Sequence, residues 1–492
     1  MVNHTTYPAT LLCDFYKCSH RQQYPVGTEV VYSTWTPRTS RIRHIQSVVA
    51  FGFQGFIKEY LMDYFNENFF SRPLMEVLAE YSRVITHTLG VTNPDTSHIT
   101  DLWELGFLPI LIKAVPEGTI VPVRVPMLTI ENTDPRFFWL TNYLETLMSC
   151  ELWLPSTSAT TAWNYRKLLN AYAKLTGGDL GFVPFQGHDF SMRGMTSLES
   201  AAKSDAGHLL SFFGTDTIPG ICYLERYYGA DVTREMVGTS IPATEHSVMC
   251  AGGAENEYET YRRLITEVYP SGFLSIVSDT WDLWNTLSVI IPSLKPEILA
   301  RDGKIVIRPD SGDPVKIICG DDDATDPRAK KGVIELLWDI FGGTVNEKGF
   351  KVLDSHIGCI YGDAITYDRC GEISVRLMNK GFASTNMVYG IGSFTYQYTT
   401  RDTFGFALKS TAVTINGEEI AIYKNPVTDN GVKKSQKGRV AVLKIGAELK
   451  VFDGFTSTDY IAANLLQPVF QDGKLLREEK LSEIRERLLS NL

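Results

Sequence analysis

From about residue 180 the chain alternates short apolar runs with amphipathic stretches of helical spacing. Each apolar run stops abruptly at polar or glycine residues, and the runs lie at 182–189, 273–279, 304–310, 357–363 and 387–392. The helical stretches between and beside them lie at 197–213, 255–268, 281–299, 332–341 and 365–380. A repeated order of strand, polar turn and helix is typical of parallel βα units, in which the carboxyl ends of the strands share one face. The pattern therefore predicts an α/β domain with its site at that face.

The two ends of the chain have a different pattern. The first 160 residues mix helical stretches at 56–65 and 137–152 with strand-like alternation at 108–115 and 121–130. Near the other end, 411–423 alternates like a hairpin around Asn416-Gly417, 439–452 alternates again, and 481–489 has the spacing of a short charged helix. We expect a second, mixed α+β domain built from 1–165 and 394–492, with the α/β domain at 166–393.

Composition narrows the function classes. The chain has 492 residues, 44% of them hydrophobic and 21% charged, which is typical of a globular protein of two or three domains. Its formal net charge of −10 argues against a broad basic surface for nucleic acid. The sequence has no run of 18 apolar residues, so it predicts no membrane-spanning helix. The polar N-terminus lacks a signal-peptide core, and we therefore expect a cytoplasmic protein. The eight cysteines form no CxxC pair, so neither a zinc site nor a redox motif is indicated.

Several polar side chains would meet at the predicted strand ends: Asp189, His246, Asp279, Arg308, Asp310 and Asp363. Carboxylates together with Mg²⁺ are a standard way to hold a diphosphate. Any one of these aspartates could instead be a helix N-cap, and a lone histidine is more often structural than catalytic. The turn 390–393 is small enough for backbone N–H groups to approach a phosphate, although a tight strand–helix connection explains it equally well.

Ten short motifs carry a resemblance to a known family. They are CDFYK at 13–17, KAVPEG at 113–118, ENTDP at 131–135, HDFSMR at 188–193, GTDT at 214–217, PATEHS at 242–247, VSD at 277–279, IRPDSG at 307–312, GD at 362–363 and KGR at 437–439. With these motifs the chain resembles the nicotinamide phosphoribosyltransferases. These are type II phosphoribosyltransferases related to the nicotinate and quinolinate enzymes. The resemblance runs from Leu12 to about Lys480.

The resemblance implies a fold and a reaction. The fold would be the irregular α/β barrel of the type II phosphoribosyltransferases, with a second mixed α+β domain. The reaction would join nicotinamide to 5-phosphoribosyl 1-diphosphate, giving nicotinamide mononucleotide and diphosphate in NAD salvage. Mg²⁺ would be bound with the diphosphate and not in a dedicated all-protein site. ATP would be a co-substrate that phosphorylates a histidine, and two subunits of a homodimer would share their active sites.

The resemblance also implies roles for single residues. His246 would be phosphorylated, Asp279 would hydrogen-bond and orient it, and Asp310 would hold ribose hydroxyls. The pyridine ring would lie between Phe190 and the Tyr16 of a partner subunit. The other substrate-binding positions would be Arg193, Asp216, Arg308, Gly362, Asp363, Gly392 and Ser393, the last two at the 5′-phosphate. The cations that reach phosphates would be Arg38, Arg401, Lys409, Lys424 and Lys433, each of which could otherwise be a solvated surface residue.

Two other functions stay open at this point. The chain could be a nicotinate phosphoribosyltransferase, or a non-catalytic binding or signalling protein on the same scaffold, because a fold does not determine a function. Asp216 distinguishes a nicotinamide enzyme from a nicotinate enzyme, because a carboxylate at this position would accept a hydrogen bond from a carboxamide and repel a carboxylate. Alternatively, Asp216 would only cap the helix that is expected to start near Pro219.

Overall fold

The structure is a computed structural model that describes residues 7–362, 365–423 and 436–492. These residues form two compact units. The first comprises the chain up to Thr160 together with Tyr223–Ala230 and Thr399–Asn491, and the second comprises Thr161–Cys222 and Asp231–Tyr398. Both chain ends thus contribute to one unit. The domain limits expected at 165/166 and 393/394 stay a prediction.

The first unit contains a seven-stranded sheet in which every pairing is antiparallel. In spatial order its strands are Glu418–Ala421, Ala407–Ile415, Thr28–Thr36, Leu128–Asn132, Ile110–Ala114, Gln467–Gln471 and Lys474–Leu475. Two hairpin-like pairs accompany it, Ser47–Val49 with Ile120–Pro122 and Arg439–Ile445 with Glu448–Phe455. Buried aromatic and aliphatic side chains such as Trp35, Phe69 and Ile112, each fully buried, form its core.

Helices complete the first unit. Its α-helices are Lys17–Gln23, Phe53–Phe56, Leu74–Leu89, Ser97–Leu105, Leu140–Tyr143 and Leu481–Leu489, and Ile218–Tyr228 contributes its second half. Short 3₁₀ turns lie at Ala9–Leu11, Pro135–Phe137 and Arg401–Thr403, and π-helical segments at Ile57–Tyr64 and Asn66–Phe70. The hairpin expected at 411–423 is confirmed, because Asn416 and Gly417 both have positive φ, 48° and 78°, as a tight two-residue turn requires.

Two sequence-based expectations in the first unit were wrong in extent. The single strand expected at 121–130 is two strands in different sheets, because the chain turns between them and Arg124 has a φ of 72°. The single helix expected at 137–152 is divided into Leu140–Tyr143 and Glu145–Thr176, and the second of these continues well past residue 152. Its Ser- and Thr-rich part has weak helix propensity. Tertiary bonds support it: Ser156 donates to the carbonyl of Val49, and Thr160 Oγ1 accepts from Val49 N at 2.8 Å.

The second unit contains the predicted parallel sheet. Its six strands, all parallel, are in spatial order Gly214–Thr215, Gly187–Asp189, Met387–Ile391, Ile357–Tyr361, Ile305–Arg308 and Leu274–Val277. All five apolar runs of the sequence become strands of this sheet. Their continuous burial, complete along Leu274–Val277, matches the rule that parallel strands are covered on both faces.

The sheet curls into an irregular barrel that closes through single bridges. Thr239 pairs in parallel with Gly214, and Ala243 pairs in parallel with Ser275. The stretch 239–243 therefore lies between the two edge strands and is held by Thr215 N to Thr239 O at 3.0 Å and Ser275 N to Pro242 O at 2.9 Å. This irregular α/β barrel agrees with the predicted fold class.

Short helices surround the barrel strands. The α-helices are Leu198–His208, His246–Ala251, Glu257–Arg263, Leu283–Asn285, Ile291–Ser293, Lys295–Leu299, Pro314–Cys319, Pro327–Lys331, Val333–Phe341, Tyr367–Asn379 and Ser393–Tyr396. The 3₁₀ turns are Val183–Phe185, Met192–Gly194, Ala254–Asn256 and Ser384–Asn386, and the π-helical segments are Leu264–Val268 and Thr286–Ile290. A small hairpin pairs Gly343–Val345 with Lys351–Leu353. Each of the five stretches that the sequence predicts to be helical contains at least one of these helices.

Candidate active site

The carboxyl ends of the barrel strands hold most of the residues singled out from the sequence. Asp189 and Arg308 are the last residues of their strands, whereas Asp279, Gly362 and Gly392 follow theirs by one or two positions. Parallel strands deliver their carboxyl ends to one edge. The topology therefore brings these sequence-distant residues to one face of the second unit.

His246 stands at the first turn of a short helix, His246–Ala251, at this face. Its Nδ1 lies 3.1 Å from Thr280 Oγ1, and its Nε2 lies 3.7 Å from Asp310 Oδ2 and 3.9 Å from Asp279 Oδ1. The side chain is 46% exposed, so the ring is open to a reactant while two carboxylates face the same nitrogen. Thr280, which the sequence analysis missed, makes the hydrogen bond to the ring.

Asp279 holds a turn of backbone more directly than it holds His246. Its Oδ2 accepts from Asp310 N at 2.8 Å, from Ser311 N at 2.7 Å and from Ser311 Oγ at 2.6 Å. Its Oδ1 is buried and has no hydrogen-bond partner among the described residues. The hydrogen bond expected between the His246 ring and the Asp279 carboxylate is therefore not formed, because 3.9 Å is too long for one.

Arg308 is the next residue of this strand-end face, and one of its N–H donors, Nε, is not used by the described residues. Its Nη2 donates to Thr244 O at 2.6 Å, while its buried Nε has no partner within the described part of the chain. Gly362 leaves room at the same place, since a Cβ there would lie 2.3 Å from Asp310 Oδ1 and 3.4 Å from Arg308 Cδ. The absence of a side chain at Gly362 thus leaves space for the side chains of both Asp310 and Arg308. Asp363 lies outside the described residues.

The candidate ring-binding residue Phe190 is fixed by the neighbouring strand. Its N–H donates to Ile391 O at 3.0 Å, and its ring centroid is 4.5 Å from that of His188. A Cβ at Gly390 would lie 2.7 Å from the Phe190 ring, so only glycine permits this approach. Gly194 similarly makes room for Ser393, whose Oγ would be 2.1 Å from a Cβ there. Arg193, in the turn Met192–Gly194, is exposed, and Gly392 caps the helix Ser393–Tyr396.

Asp216 is held by two donors on one oxygen. His188 Nε2 lies 2.8 Å from Asp216 Oδ1, and Ser240 Oγ donates to the same Oδ1 at 2.7 Å. Burial opposes ionisation of the carboxyl, but the hydrogen bonds with His188 and Ser240 and the charge of Arg308 outweigh it, so the pKa of Asp216 lies below its ordinary value. The carboxylate is therefore ionised at neutral pH.

The first unit gathers a second group of predicted residues. Tyr16, Arg401 and Lys409 line an open cavity of about 410 Å³ together with Asp14, Glu145, Thr146, Ser149, Cys150 and Trp153. Lys409 Nζ lies 3.5 Å from Glu145 Oε1, and Glu145 also pairs with the buried Lys17. Burial lowers the pKa of Lys409, and the charge of Arg38 lowers it further. Arg38 donates from Nε to Gly405 O at 3.0 Å.

The structure thus groups the predicted residues in two sets. His246, Asp279, Asp310 and Arg308 come together in the second unit, and Tyr16, Arg401 and Lys409 in the first. Lys424 and Lys433 lie outside the described residues. The roles assigned to all of these positions stay predictions. Sequence reasoning missed Thr280 and Ser240, and it gave no role to Thr244, although that residue lies in the motif at 242–247. All three are common small hydroxyl residues, and only their contacts mark them.

The described residues hold no ready-made metal cage. Across 7–362, 365–423 and 436–492, no cluster of three or more His, Cys, Asp or Glu side chains is arranged to hold a metal ion. None of the helices in those ranges combines the length and apolar character that a membrane crossing requires.

Comparisons with known proteins identify the family. Residues 185–474 match the nicotinate phosphoribosyltransferase (NAPRTase) family, and residues 9–73 match the nicotinamide phosphoribosyltransferase N-terminal domain. A relative from Acinetobacter baylyi named nicotinamide phosphoribosyltransferase is 50% identical over 97% of this chain and 96% of its own length. A Mycoplasma genitalium protein of the same name is 39% identical over 87% of this chain and 94% of its own.

Solved structures share the fold at low identity. Nicotinate-nucleotide pyrophosphorylase from Pyrococcus furiosus matches with a TM-score of 0.57 and 16% identity, over 100% of this chain and 97% of its own. Human nicotinic acid phosphoribosyltransferase matches with a TM-score of 0.50 and 14% identity, over 98% and 93%. These likenesses support the type II phosphoribosyltransferase fold. The chain belongs to the nicotinate phosphoribosyltransferase family, carries the N-terminal domain of its nicotinamide phosphoribosyltransferases, and is a pentosyltransferase.

Proposed function

We propose that the chain transfers the phosphoribosyl group of 5-phosphoribosyl 1-diphosphate to nicotinamide, giving nicotinamide mononucleotide and diphosphate in NAD salvage in the cytoplasm. The relatives named for this activity support the proposal. The single observation that carries the choice of nicotinamide is the environment of Asp216. That carboxylate is ionised, and its Oδ1 is already filled by His188 and Ser240.

The amide preference follows from what Oδ2 of Asp216 can accept. A carboxamide NH₂ is a hydrogen-bond donor and suits that oxygen. The carboxylate of nicotinate has no donor and would place a second negative charge beside the first, so the two charges would repel each other. The alternative nicotinate enzyme is disfavoured by this pairing.

The reaction forms a bond between the pyridine nitrogen and the anomeric carbon of ribose as the bond from that carbon to the diphosphate oxygen breaks. The diphosphate leaves with the bonding electron pair. The ring must be held in line with the breaking bond, and the flat face of Phe190 suits that task. Arg308, whose Nε has no partner within the described part of the chain, can donate to the substrate, and Asp310 can accept from ribose hydroxyls. Gly392 and Ser393 would hold the 5′-phosphate through backbone N–H groups.

The residues at the strand ends fit a role with Mg²⁺. Among the residues that the structure describes, the buried Oδ1 of Asp279 has no hydrogen-bond partner, and it faces the same nitrogen of His246 as Asp310 Oδ2, at 3.9 and 3.7 Å. Carboxylate oxygens are the ligands that Mg²⁺ prefers, and two carboxylates plus substrate phosphate oxygens form a common set. The ion, when bound with diphosphate, would neutralise charge that develops on the leaving group.

We further propose that ATP phosphorylates His246 and that this coupling favours synthesis. A ring nitrogen of His246 attacks the γ-phosphorus of ATP, and ADP leaves. The half-exposed ring, oriented by the contact between Nδ1 and Thr280, is accessible to such a reactant. Two chains would form a homodimer in which Tyr16, Arg401 and Lys409 of one subunit complete the site of the other.

The test is an assay of the purified chain with phosphoribosyl diphosphate and Mg²⁺. Nicotinamide and nicotinate are compared as acceptors, each with and without ATP. We expect nicotinamide mononucleotide to form, with a higher yield when ATP is present. Preferential conversion of nicotinate would instead make the chain a nicotinate enzyme, and absence of turnover with either acceptor would contradict the proposal.

A further inference from the structure

Two aspartates in the interior of the second unit, Asp189 and Asp205, are near enough to interact with each other. Asp189 and Asp205 are both fully buried. Asp189 ends the strand Gly187–Asp189, directly before Phe190, and Asp205 lies in the helix Leu198–His208. Two interacting carboxyl groups in a buried setting are costly unless hydrogen bonds or protonation compensate for their charge.

Asp189 connects the turn that carries Phe190 to the turn that carries Asp216. Its Oδ1 accepts from Ser191 N at 2.8 Å, and its Oδ2 accepts from Thr217 Oγ1 at 3.1 Å. Its backbone carbonyl accepts from Asp216 N at 2.9 Å. Both turns are thereby tied to one residue of the strand.

Asp205 supports the second of these turns from the helix behind it. Its Oδ1 accepts from Thr215 Oγ1 at 2.7 Å, and Thr215 Oγ1 in turn accepts from Thr217 N at 2.8 Å. The hydroxyl of Thr215 is thus committed as a donor to Asp205 and as an acceptor from the turn. The chain of bonds runs from Asp205 to the backbone beside Asp216.

The second oxygen of Asp205 points to a neutral acid. Among the described residues, Oδ2 receives no hydrogen bond although it is buried. It is packed so closely that a Cβ at Gly220 would lie 2.1 Å away. Burial, together with the nearby Asp189 carboxylate, raises the pKa of Asp205 well above its ordinary value. An oxygen that lacks a donor and carries a proton is itself a donor, and the neighbouring Asp189 is an acceptor.

We propose that Asp205 is a positioning residue of the nicotinamide pocket: as a buried neutral acid it donates to Asp189 and accepts from Thr215, which fixes the turn holding Asp216 relative to the turn holding Phe190. The inference rests on the proposed function for its substrate. It assigns Asp205 no contact with that substrate. Its role is to set the distance between the ring face and the amide acceptor.

Two substitutions test whether Asp205 acts as a neutral hydrogen-bond donor, as a negative charge, or only by filling space in the core. In Asp205→Asn, Oδ1 can still accept from Thr215 and Nδ2 can donate to Asp189, so kinetics with both substrates should stay within about twofold of wild type. In Asp205→Ala both bonds are lost. The KM for nicotinamide should rise roughly tenfold, the loss expected for one or two hydrogen bonds, while the KM for phosphoribosyl diphosphate stays unchanged. The preference for nicotinamide over nicotinate should fall with it.

Ala206→Gly in the same helix serves as the matched control. It lowers stability through helix propensity without removing a polar group, so its nicotinamide KM should be unchanged at a comparable loss of melting temperature. If Asp205→Asn is as impaired as Asp205→Ala, a charge is required and the proposal is wrong. If neither variant alters the nicotinamide KM, or if Ala206→Gly alters it equally, Asp205 has a structural role only and the proposal is again wrong.

A measurement without substrate keeps this result apart from the proposed function. In the chain labelled with ¹³C at aspartate carboxyl carbons, one resonance should keep the shift of a protonated acid at pH 7 and disappear in Asp205→Asn. Its absence would overturn the inference even if the enzyme uses nicotinamide. Its presence in a chain that does not turn over nicotinamide would instead locate the failure in the proposed function.

Discussion

At the scale of single residues, the site depends on which oxygen of a carboxylate is already occupied. Asp216 illustrates this, because His188 and Ser240 both bond its Oδ1 and neither bonds its Oδ2. The two donors fix the carboxylate without consuming the acceptor that a ligand would need. Asp279 shows the reverse arrangement, with three donors on Oδ2 and, from the residues that the structure describes, none on the buried Oδ1.

Substitution of Asp216 should change substrate preference. Asp216→Ser removes the negative charge, so the variant should lose nicotinamide efficiency and gain efficiency with nicotinate. A charge-assisted hydrogen bond contributes about 1.5–3 kcal/mol, so the ratio of kcat/KM for the two acceptors should narrow by roughly 10- to 150-fold. The measurement is kcat/KM for both acceptors in wild type and variant. A ratio that does not move, with lower melting temperature, would make Asp216 structural.

His246→Ala should abolish ATP hydrolysis and its coupling to synthesis while leaving the fold intact, because the ring is half exposed and carries little packing. Some ATP-independent synthesis should survive, since Phe190, Asp279 and Asp310 remain. The readouts are ADP release, and an acid-labile phosphate on the protein after incubation with ATP. His87→Ala, at an exposed position in the helix Leu74–Leu89, is the control and should keep both. Labelling that persists in His246→Ala would refute the assignment.

At the scale of secondary-structure elements, the periodicity of the sequence predicted the barrel strands because each is short, apolar and ended by a polar residue. The stretch 239–243 was not among the five apolar runs, and it closes the barrel through isolated bridges without a continuous ladder. The break between Ile120–Pro122 and Leu128–Asn132 escaped prediction because an Arg in the left-handed region gives no compositional signal. Contacts such as Thr280 to His246 depend on tertiary placement, which no periodicity encodes.

The loop between the strands Ile110–Ala114 and Ile120–Pro122 contains a buried acid that should make stability depend on pH. Burial opposes ionisation of Glu117, the N–H of Gln54 favours it, and the nearby Glu479 opposes it. The remaining donors, Gly52 N–H and Tyr228 O–H, do not outweigh the opposing effects, so the pKa of Glu117 rises to about 7. The other charges facing this group, Arg477 and Arg487, lie 3.4 and 2.8 Å from Glu479.

Because the folded state holds the Glu117 proton more tightly than the unfolded state, this contribution is fully present below the unfolded pKa near 4.5 and is lost as pH rises through about 7. The free energy of unfolding should therefore fall by about 3 kcal/mol from this group between pH 4.5 and 8. Urea unfolding across that range should show a flatter profile for Glu117→Gln, whatever its absolute stability. Glu76→Gln, at an exposed site, should keep the wild-type slope. Equal slopes in all three proteins would contradict the prediction.

At the scale of the whole molecule, the predicted ligand-binding residues divide between two compact units. His246 and its neighbours belong to the second unit, whereas Tyr16, Arg401 and Lys409 line a cavity of the first. Tyr16 is 56% exposed, although a large aromatic side chain gains little by facing water. The family resemblance implies that Tyr16 covers the pyridine ring bound in the partner subunit. The exposure of Tyr16 therefore motivates the proposed homodimer.

Hybrid dimers provide the test of shared sites. Tyr16→Ala and His246→Ala chains should each be nearly inactive in ATP-coupled synthesis. When they are mixed and allowed to exchange subunits, the hybrid has one site that combines an intact Tyr16 from one chain with an intact His246 from the other. Random exchange makes half of the dimers hybrids with one intact site each, so activity should return to about a quarter of the wild-type level. Mixing His246→Ala with a chain that carries both substitutions is the control and should restore nothing, because no dimer then contains an intact His246. A monomeric mass by sedimentation, with no activity regained in the first mixture, would mean that each chain acts alone and that Tyr16 has another role.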